Sequence, residues 1–173
     1  MISLTFRPLA KSDFRQFAQW LGKPFVKKYW PEPATVEHVA KEYGACTDGD
    51  FTTRVYVVQD GKEPIGIIQA FELASYPDWA KMIPMEGAVS IDYLIGEEDY
   101  IGRGYGTQMI KEFIQQVIKP TYPHATGVAT SAEVENKASL GALESAGFAR
   151  GEIITGEHGT PEQVMRLRFT DRS

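Results

Sequence analysis

The positions of apolar residues along the chain predict alternating strands and helices. Short runs rich in β-branched and aromatic residues predict strands, whereas apolar residues spaced three and four apart predict amphipathic helices. The predicted strands cover residues 3–9, 54–59, 64–73, 88–95, 126–131, 148–154 and 163–169. The predicted helices cover residues 14–21, 36–43, 104–118 and 136–146. This order of elements indicates an α/β (α+β) fold with a mixed sheet and helices on both of its faces.

Capping and turn residues predict where several of these elements begin. Ser12 and Thr35 precede the first two helices, and a hydroxyl at that position can accept a hydrogen bond from the first helical turn. Asn136 can cap the last helix in the same way. Asp60-Gly61 predicts a tight hairpin turn between two strands.

Glycine and proline residues predict where other elements end. Gly44 is expected to end the second helix, and Pro120 is expected to end the long third one. Residues 24–33 contain three prolines among several aromatic residues, so they are expected to form an aromatic loop. Residues 74–87 are expected to be irregular.

Composition and charge exclude several classes of protein. The 173 residues, 43% of them hydrophobic, suffice for a single domain spanning residues 1–173. The chain carries 18 Lys and Arg against 23 Asp and Glu, a net charge of −5, which argues against nucleic acid as a partner. No apolar run approaches the ~20 residues of a membrane span, and the N-terminal residues lack the apolar core of a signal peptide.

Cysteine and histidine residues add two expectations. Cys46 is the only cysteine, which fits a reducing compartment and so a cytoplasmic location. His38, His124 and His158 lack the spacing of metal ligands, so no metal is expected. The sequence leaves open whether the protein is a monomer or a homodimer.

The sharpest chemical signal is a glycine-rich turn between a predicted strand and the long predicted helix. It reads Gly102-Arg103-Gly104-Tyr105-Gly106-Thr107. The first N–H groups of a helix have no partner within it and lie at the positive end of its dipole, while glycine lets a ligand approach the backbone. The turn therefore predicts a pyrophosphate site, although glycines required only for their backbone angles would give the same spacing. The spacing departs from the dinucleotide-binding fingerprint and from the P-loop.

Two motifs in order make the chain resemble the GCN5-related N-acetyltransferase (GNAT) superfamily. The pyrophosphate signature of that family, Gln/Arg-x-x-Gly-x-Gly/Ala, matches Gly104 and Gly106, whereas Ile101 replaces its first residue. The second motif runs from Asn136 to Gly147-Phe148 at the family's spacing. The resemblance covers nearly the whole chain. It implies the family's mixed, mostly antiparallel sheet and acetyl-CoA as the co-substrate.

Further residues make the chain look closest to the aminoglycoside 6'-N-acetyltransferases. They are the segment Ile91–Gly96, the segment Glu63–Gly66, Trp30 and Gln69. This resemblance implies acetyl transfer to the 6'-amine of an aminoglycoside, a small-molecule partner, and thereby antibiotic resistance. A sister group of similar layout acylates hydroxylysine or hydroxyornithine in siderophore synthesis, and a non-catalytic acyl-CoA sensor could share the fold. The sequence leaves these alternatives and the length of the acyl group open.

The resemblance also implies roles for individual residues. Asp92 is expected to serve as the base, since an alkyl amine of pKa about 10 is almost wholly protonated at pH 7. Backbone N–H groups of Leu94 or Ile95 are expected to stabilise the oxyanion if the strand parts from its neighbour there. Leu143 stands where many relatives have a tyrosine acid, so no general acid is assigned.

Two sets of contact residues complete these expectations. The expected cofactor-binding residues are Leu94, Ile95, Gly102, Arg103, Gly104, Tyr105, Gly106, Thr107 and Asn136. The expected substrate-binding residues are Trp30, Gln69, Glu72, Trp79 and Asp92.

Overall fold

The computed structural model describes residues 3–170, within which seven strands and seven helices form. The strands are β1 (Leu4–Pro8), β2 (Thr53–Asp60), β3 (Glu63–Glu72), β4 (Val89–Ile95), β5 (Gly127–Glu133), β6 (Ala149–Thr155) and β7 (Pro161–Arg168). The helices are α1 (Phe14–Leu21), α2 (Pro24–Lys27), α3 (Val36–Thr47), α4 (Pro77–Met82), α5 (Tyr105–Phe113), α6 (Lys119–Thr121) and α7 (Lys137–Ser145). Short 3-10 turns cover Lys11–Asp13, Leu73–Ser75 and Glu98–Tyr100, and a π-helical segment covers Ile114–Ile118.

The described residues form two compact units. The first comprises the described part of residues 1–69 together with 92–103, and its strands follow the order β1-β2-β3-β4. The second comprises residues 70–91 and the described part of 104–173, with the order β3-β4-β5-β7-β6, because β3 and β4 run through both units. Strands β4 and β5 pair in parallel, whereas the pairs β1–β2, β5–β7 and β6–β7 are antiparallel. A mixed, mostly antiparallel sheet with flanking helices confirms the predicted fold class.

The core of the first unit joins α1 and α3 to strands β2, β3 and β4. Phe17 of α1 and Tyr43 of α3 lie in contact, with ring centroids 4.7 Å apart. Burial of each side chain of this size contributes roughly 1.5–3 kcal/mol. The cluster therefore holds α3 on the strands of this unit. Its buried members are Leu9, Phe14, Phe17, Ala18, Trp20, Leu21, Val26, Val39, Tyr43, Val55, Val57, Ile67 and Leu94.

The second unit contains a bulge in its edge strand β6, between Arg150 and Ile153. Gln163 of the neighbouring strand β7 is only 5% exposed. Its side-chain Nε2 donates to the carbonyls of Gly151 at 2.8 Å and Glu152 at 3.3 Å. Carbonyls that the bulge removes from the regular ladder are thus satisfied by a buried amide.

Several predicted boundaries are confirmed by hydrogen bonds and backbone angles. Thr35 Oγ1 accepts a hydrogen bond from the His38 N–H at 3.1 Å and so caps α3. Asn136 Oδ1 accepts one from the Ser139 N–H at 3.2 Å and caps α7. Gly61, in the predicted hairpin turn, has a φ of 61°, which glycine adopts without strain.

The prediction that Ser12 caps the first helix is wrong. Residues 11–13 form a 3-10 turn that leads into α1, and the carboxylate of Asp13 accepts the Ala10 N–H at 2.8 Å. The same carboxylate forms an ion pair with Arg7 at 2.8 Å. Burial raises the pKa of Asp13, but the hydrogen bonds from Arg7 and Ala10 outweigh it and the pKa is lowered. An anchored carboxylate therefore takes the place of the predicted hydroxyl.

Two predicted helix ends are also wrong. Helix α3 continues past Gly44 to Thr47, because Gly44 lacks the positive φ of a helix stop and Tyr43 is buried in the core. The Thr47 hydroxyl donates to the Gly44 carbonyl at 2.7 Å. The helical backbone continues from the π-helical segment into α6 and ends at Thr121, so Pro120 lies in the last helical turn, one residue before the end.

Both predicted loops contain a short helix. Helix α2 begins at Pro24 inside the expected aromatic loop, and α4 begins at Pro77 inside the expected irregular stretch. Proline suits a first helical position because the N–H that it lacks has no partner there. Each segment therefore contained a signal for a helix start, its proline, but the aromatic and proline content of both segments led to the prediction of loops.

An ion pair in the second unit predicts a pH dependence. Arg166 donates to both carboxylate oxygens of Glu152, at 2.6 and 3.0 Å, and these hydrogen bonds lower the pKa of Glu152 from 4.5 to about 2. Because the folded pKa lies below the unfolded one, the stabilisation is present above pH ~4.5 and is lost as the pH falls toward 2. An NMR titration of the Glu152 carboxyl carbon should show this midpoint, and Arg166→Gln should return it toward 4.5. An identical midpoint in both proteins would contradict the assignment.

Candidate active site

Asp92 lies in the first unit on β4, beside Gln69 of β3. The Gln69 side-chain Nε2 lies 3.4 Å from Asp92 Oδ2, which makes a long hydrogen bond with the amide as donor. Both side chains are partly buried, so the carboxylate is held within the unit and still open to solvent. The structure thus brings together two of the residues predicted to contact the acceptor.

The end of β4 approaches β3 so closely that glycine is required. A Cβ atom on Gly66 would overlap the carbonyl oxygen of Leu94. Two residues further on, the Gly96 N–H donates to the carbonyl of Ile65 at 2.8 Å. The segment Leu94–Ile95, predicted to stabilise the oxyanion, therefore lies directly on the backbone of β3.

A tryptophan and a lysine hold the residues that follow β4. The Trp20 indole covers Gly96, where a Cβ atom would overlap the ring. Its Nε1 donates to Glu97 Oε1 at 2.8 Å. Lys23 Nζ donates to the Gly96 carbonyl at 2.8 Å and lies 3.4 Å from Glu97 Oε2. Packing and hydrogen bonds together fix the course of the chain after Asp92.

A second carboxylate, that of Glu32, organises the aromatic part of the first unit. It accepts hydrogen bonds from the Tyr43 hydroxyl at 2.9 and 2.8 Å and lies 2.7 Å from Nε2 of His38. Burial, then the charge and hydrogen bond of Glu32, raise the pKa of Tyr43 well above its usual value, and the charge of Asp92 adds to the effect. Trp30, two residues before Glu32, packs partly buried against the core of this unit.

Four of these residues were not predicted from the sequence: Trp20, Glu32, Tyr43 and Glu97. Trp20 and Glu97 are 77 residues apart, so no local pattern relates them. Tyr43 falls on the apolar face of α3 and has the periodicity of an ordinary core residue. The signal that could have identified Tyr43 is its hydroxyl, because a buried hydroxyl needs a hydrogen-bond partner.

The glycine turn begins at the end of the first unit. Gly102 and Arg103 are exposed there, and Gly102 has a φ of 74°. Ile101, which departs from the family signature, is 41% exposed. The backbone of this segment is therefore accessible to a ligand.

The second unit carries the helix that follows the turn. Gly104 precedes α5 with a φ of 82°, a left-handed angle that strains other residues. The Gln108 N–H donates to the Gly104 carbonyl at 3.1 Å, so the N–H groups of residues 105–107 precede the hydrogen-bond ladder of α5. Gly106 lies near α7, since a Cβ atom there would be 3.4 Å from the Ala142 Cβ. The predicted residues Tyr105 and Thr107 flank it and are partly buried.

Strands β4 and β5 also meet within the second unit. Val89 pairs with Val128, and two residues further along both strands the Thr130 hydroxyl donates to the Ile91 carbonyl at 2.8 Å. This hydrogen bond extends the contact between the two strands toward the end of β4, where β4 was predicted to part from its neighbour. Asn136 lies on the loop after β5, and its Oδ1 accepts the hydrogen bond that caps α7.

Two of the predicted substrate contacts lie in the second unit. Glu72 is exposed at the end of β3 and lines a pocket of ≈ 210 Å³ together with Tyr122 and His124. Trp79 packs against the core cluster of this unit, and its Nε1 lies 3.4 Å from Ser90 Oγ. Their roles toward an acceptor stay predictions.

Residues 3–170 lack the features of two other kinds of site. No helix there has both the length and the apolar character needed to cross a membrane. The same residues contain no group of three or more His, Cys, Asp or Glu arranged to hold a metal ion. The expectation that the protein uses no metal stays a prediction.

Comparison with known families identifies the class of protein that this fold and site define. A model described as "Acetyltransferase (GNAT) domain" matches residues 10–155. The chain belongs to this acetyltransferase family, which confirms the resemblance drawn from its two motifs.

Individual relatives carry related names. Curated proteins called aminoglycoside N(6')-acetyltransferase type 1, from Klebsiella pneumoniae and Serratia marcescens, are each 24% identical to the chain over 170 residues, covering 96% of it and 84% of the relative. A crystal structure of aminoglycoside acetyltransferase AAC(6')-Ib with coenzyme A and kanamycin has a TM-score of 0.84 and 24% identity, with 96% and 95% of the chains covered. An aminoglycoside N(6')-acetyltransferase structure from Legionella pneumophila has a TM-score of 0.76 and 22% identity, covering 97% and 93%. These structural likenesses show the fold.

The contact between Gly96 and Trp20 predicts that a side chain at residue 96 destabilises the protein. Gly96→Ala would press a Cβ atom into the indole, and such overpacking costs about 1–3 kcal/mol. Urea unfolding should show that loss. In the control Gly44→Ala, the new Cβ meets no described atom within 4 Å, and alanine in a helix should be neutral or stabilising by up to ~1 kcal/mol. Equal free energies of unfolding for the two variants would contradict the packing described.

Proposed function

We propose that this chain transfers the acetyl group of acetyl-CoA to a primary amine, the 6'-amine of an aminoglycoside. The observation that carries the proposal is the Asp92 carboxylate, held beside Gln69 on a strand whose end is fixed by Gly66 and Gly96. The acetyltransferase family and the names of the relatives support it. The net charge of −5 suits an acceptor that carries several ammonium groups.

Asp92 is proposed to bind the acceptor ammonium and to take its proton. At pH 7 only ~0.1% of an alkyl amine of pKa about 10 is neutral, so attack needs an acceptor for the proton. The carboxylate accepts it directly or through one water as the N–C bond forms. The long hydrogen bond from Gln69 holds the carboxylate in place on β4.

The residues proposed to hold the co-substrate fit its chemistry. The N–H groups of residues 105–107 precede the α5 ladder and lie at the positive end of the helix dipole, which suits a pyrophosphate. Gly102, Arg103, Gly104 and Thr107 complete this group of contacts. Asn136 is proposed to contact the pantetheine arm, and a backbone N–H of Leu94 or Ile95 to stabilise charge on the thioester oxygen.

Acetyl-CoA supplies a thioester whose C–S bond breaks as the amide forms. The departing thiol has a pKa of about 8.5, so its thiolate is a fair leaving group without an acid. Leu143, only 1% exposed in α7, has no proton to donate. The proposed mechanism therefore assigns proton transfer to Asp92 and leaves thiolate protonation to water.

Three further residues predicted from the sequence are proposed as contacts for the acceptor. Trp30 offers an aromatic face for a sugar ring or an ammonium group, and Trp79 offers another. Glu72 adds a carboxylate that suits a further ammonium group. We propose a cytoplasmic enzyme in which residues 1–173 act as one acetyltransferase domain, as a monomer or a homodimer.

The pyrophosphate assignment predicts that a negative charge at Gly106 prevents co-substrate binding. Gly106 has an ordinary helical backbone, so Gly106→Glu adds charge without the strain that any substitution at Gly104 would add. Calorimetry with coenzyme A should show at least a ~100-fold loss of affinity, about 3 kcal/mol. Gly106→Ala isolates the steric part, a contact of 3.4 Å with Ala142, and should lose far less. Equal affinities for the Glu variant and the unmodified protein, both folded, would rule out this site.

The base assignment predicts that Asp92→Asn lowers turnover and keeps coenzyme A affinity. Asparagine keeps the shape of the side chain but takes no proton, and loss of a general base costs 10²–10⁴-fold. Thiol release from acetyl-CoA with kanamycin as acceptor measures kcat/KM. Asp99→Asn, at an exposed position of the turn after β4, is the matched control and should retain full activity.

The same assay separates the alternatives for the acceptor. A fall of less than about threefold in the Asp92 variant would exclude it as the base. Faster acylation of N-hydroxylysine, with no acetylated kanamycin, would place the chain with siderophore acyltransferases. Coenzyme A binding without thiol release for any amine would indicate a sensor.

A further inference from the structure

The Glu32 carboxylate joins the loop after α2 to helix α3. Both of its oxygens lie within hydrogen-bond distance of the Tyr43 hydroxyl, at 2.9 and 2.8 Å, and His38 Nε2 lies 2.7 Å from Oε1. The side chains of Glu32 and His38 are 29% and 18% exposed, and Tyr43 is buried. One carboxylate therefore anchors two residues of α3 in a largely desolvated place.

Glu32 fixes the direction of the Tyr43 hydroxyl proton. An ionised carboxylate only accepts hydrogen bonds, so Tyr43 must donate to it. Burial and the negative charges of Glu32 and Asp92 raise the pKa of Tyr43, which keeps the hydroxyl protonated. The Tyr43 hydroxyl is therefore committed to Glu32, and this contact attaches the loop after α2 to α3.

The backbone ties Trp30 to Glu32, because the Glu32 N–H donates to the Trp30 carbonyl at 2.9 Å. The Trp30 side chain packs against the core cluster that contains Tyr43, and its indole Nε1 is buried with no hydrogen bond of standard geometry in the described part of the chain. Because the Glu32 carboxylate is anchored to Tyr43 and His38 of α3, Glu32 fixes the backbone from which the Trp30 ring is placed on that cluster.

We propose that Glu32 is a positioning residue for the acceptor site. By anchoring the loop after α2 to helix α3, it holds the Trp30 ring in the orientation that receives the acceptor. This inference rests on the proposed function in one respect, the contact between Trp30 and the acceptor. The orientation of Trp30 itself depends only on contacts within the first unit.

Two conservative variants test the relay from Glu32 to Trp30. Glu32→Gln replaces an obligatory acceptor with an amide that both donates and accepts, and Tyr43→Phe removes the hydroxyl and keeps the ring. Glu37→Gln is the matched control, because Glu37 is an exposed glutamate in the first turn of the same helix. The indole ¹H–¹⁵N resonance of Trp30, assigned by its loss in Trp30→Phe, should shift in the first two variants and stay unchanged in Glu37→Gln.

Steady-state kinetics with kanamycin give the second readout. Glu32→Gln and Tyr43→Phe should each raise the KM for kanamycin at least ~10-fold, about 1.4 kcal/mol, with kcat and the KM for acetyl-CoA within about twofold of the unmodified values. A merely structural role would lower the melting temperature and the active fraction without this selective change in KM. An unmoved Trp30 resonance in Glu32→Gln would overturn the proposal, and so would a moved resonance with unchanged KM.

The resonance of Trp30 is measured without any acetyl acceptor. Failure of this proposal can therefore be distinguished from failure of the proposed function. If no amine is acetylated but the Trp30 resonance moves as expected, the proposed function fails while the relay within the first unit stands. If kanamycin is acetylated and the resonance does not move, the relay fails while the function stands.

Discussion

The site described for this chain depends on one steric constraint, the close approach of β3 to the end of β4. Gly66 leaves room for the Leu94 carbonyl, and Gly96 leaves room for the Trp20 indole. Any Cβ atom at these positions would push the strand end away. Asp92 is only a few residues earlier on the same strand, so its placement beside Gln69 follows from this packing.

The two units present different kinds of charge. The first unit holds the carboxylates of Asp92, Glu32 and Glu97, each with a hydrogen-bond donor beside it. Carboxylates attract an ammonium group and accept its proton. The second unit presents the start of α5, where backbone N–H groups and the helix dipole attract an anion. Side chains in the first unit thus suit an ammonium group, and backbone N–H groups in the second unit suit a phosphate.

Local chemistry made part of this structure predictable. The caps at Thr35 and Asn136, the turn at Gly61 and the glycine-led helix each depend on residues close in sequence, and each is observed. The family resemblance rested on the same local motifs and is confirmed.

Contacts between distant segments were beyond sequence reasoning. Gly44 was expected to end α3, but tertiary packing of Tyr43 carries the helix past it to Thr47. The Trp20–Glu97 hydrogen bond joins residues 77 positions apart. The contacts of Glu32 with α3 could not be predicted either, since an acidic residue between two prolines is typical of a solvated loop. No local pattern relates the residues that such contacts bring together.

The most direct test of the central claim is a crystal structure of the protein with coenzyme A and kanamycin. If Asp92 binds and deprotonates the acceptor, the 6'-nitrogen of the aminoglycoside should lie within about 3.5 Å of the Asp92 carboxylate, or be joined to it by one water molecule. An aminoglycoside bound with its 6'-nitrogen at another carboxylate, and with Asp92 contacted by neither the acceptor nor a bridging water, would contradict it.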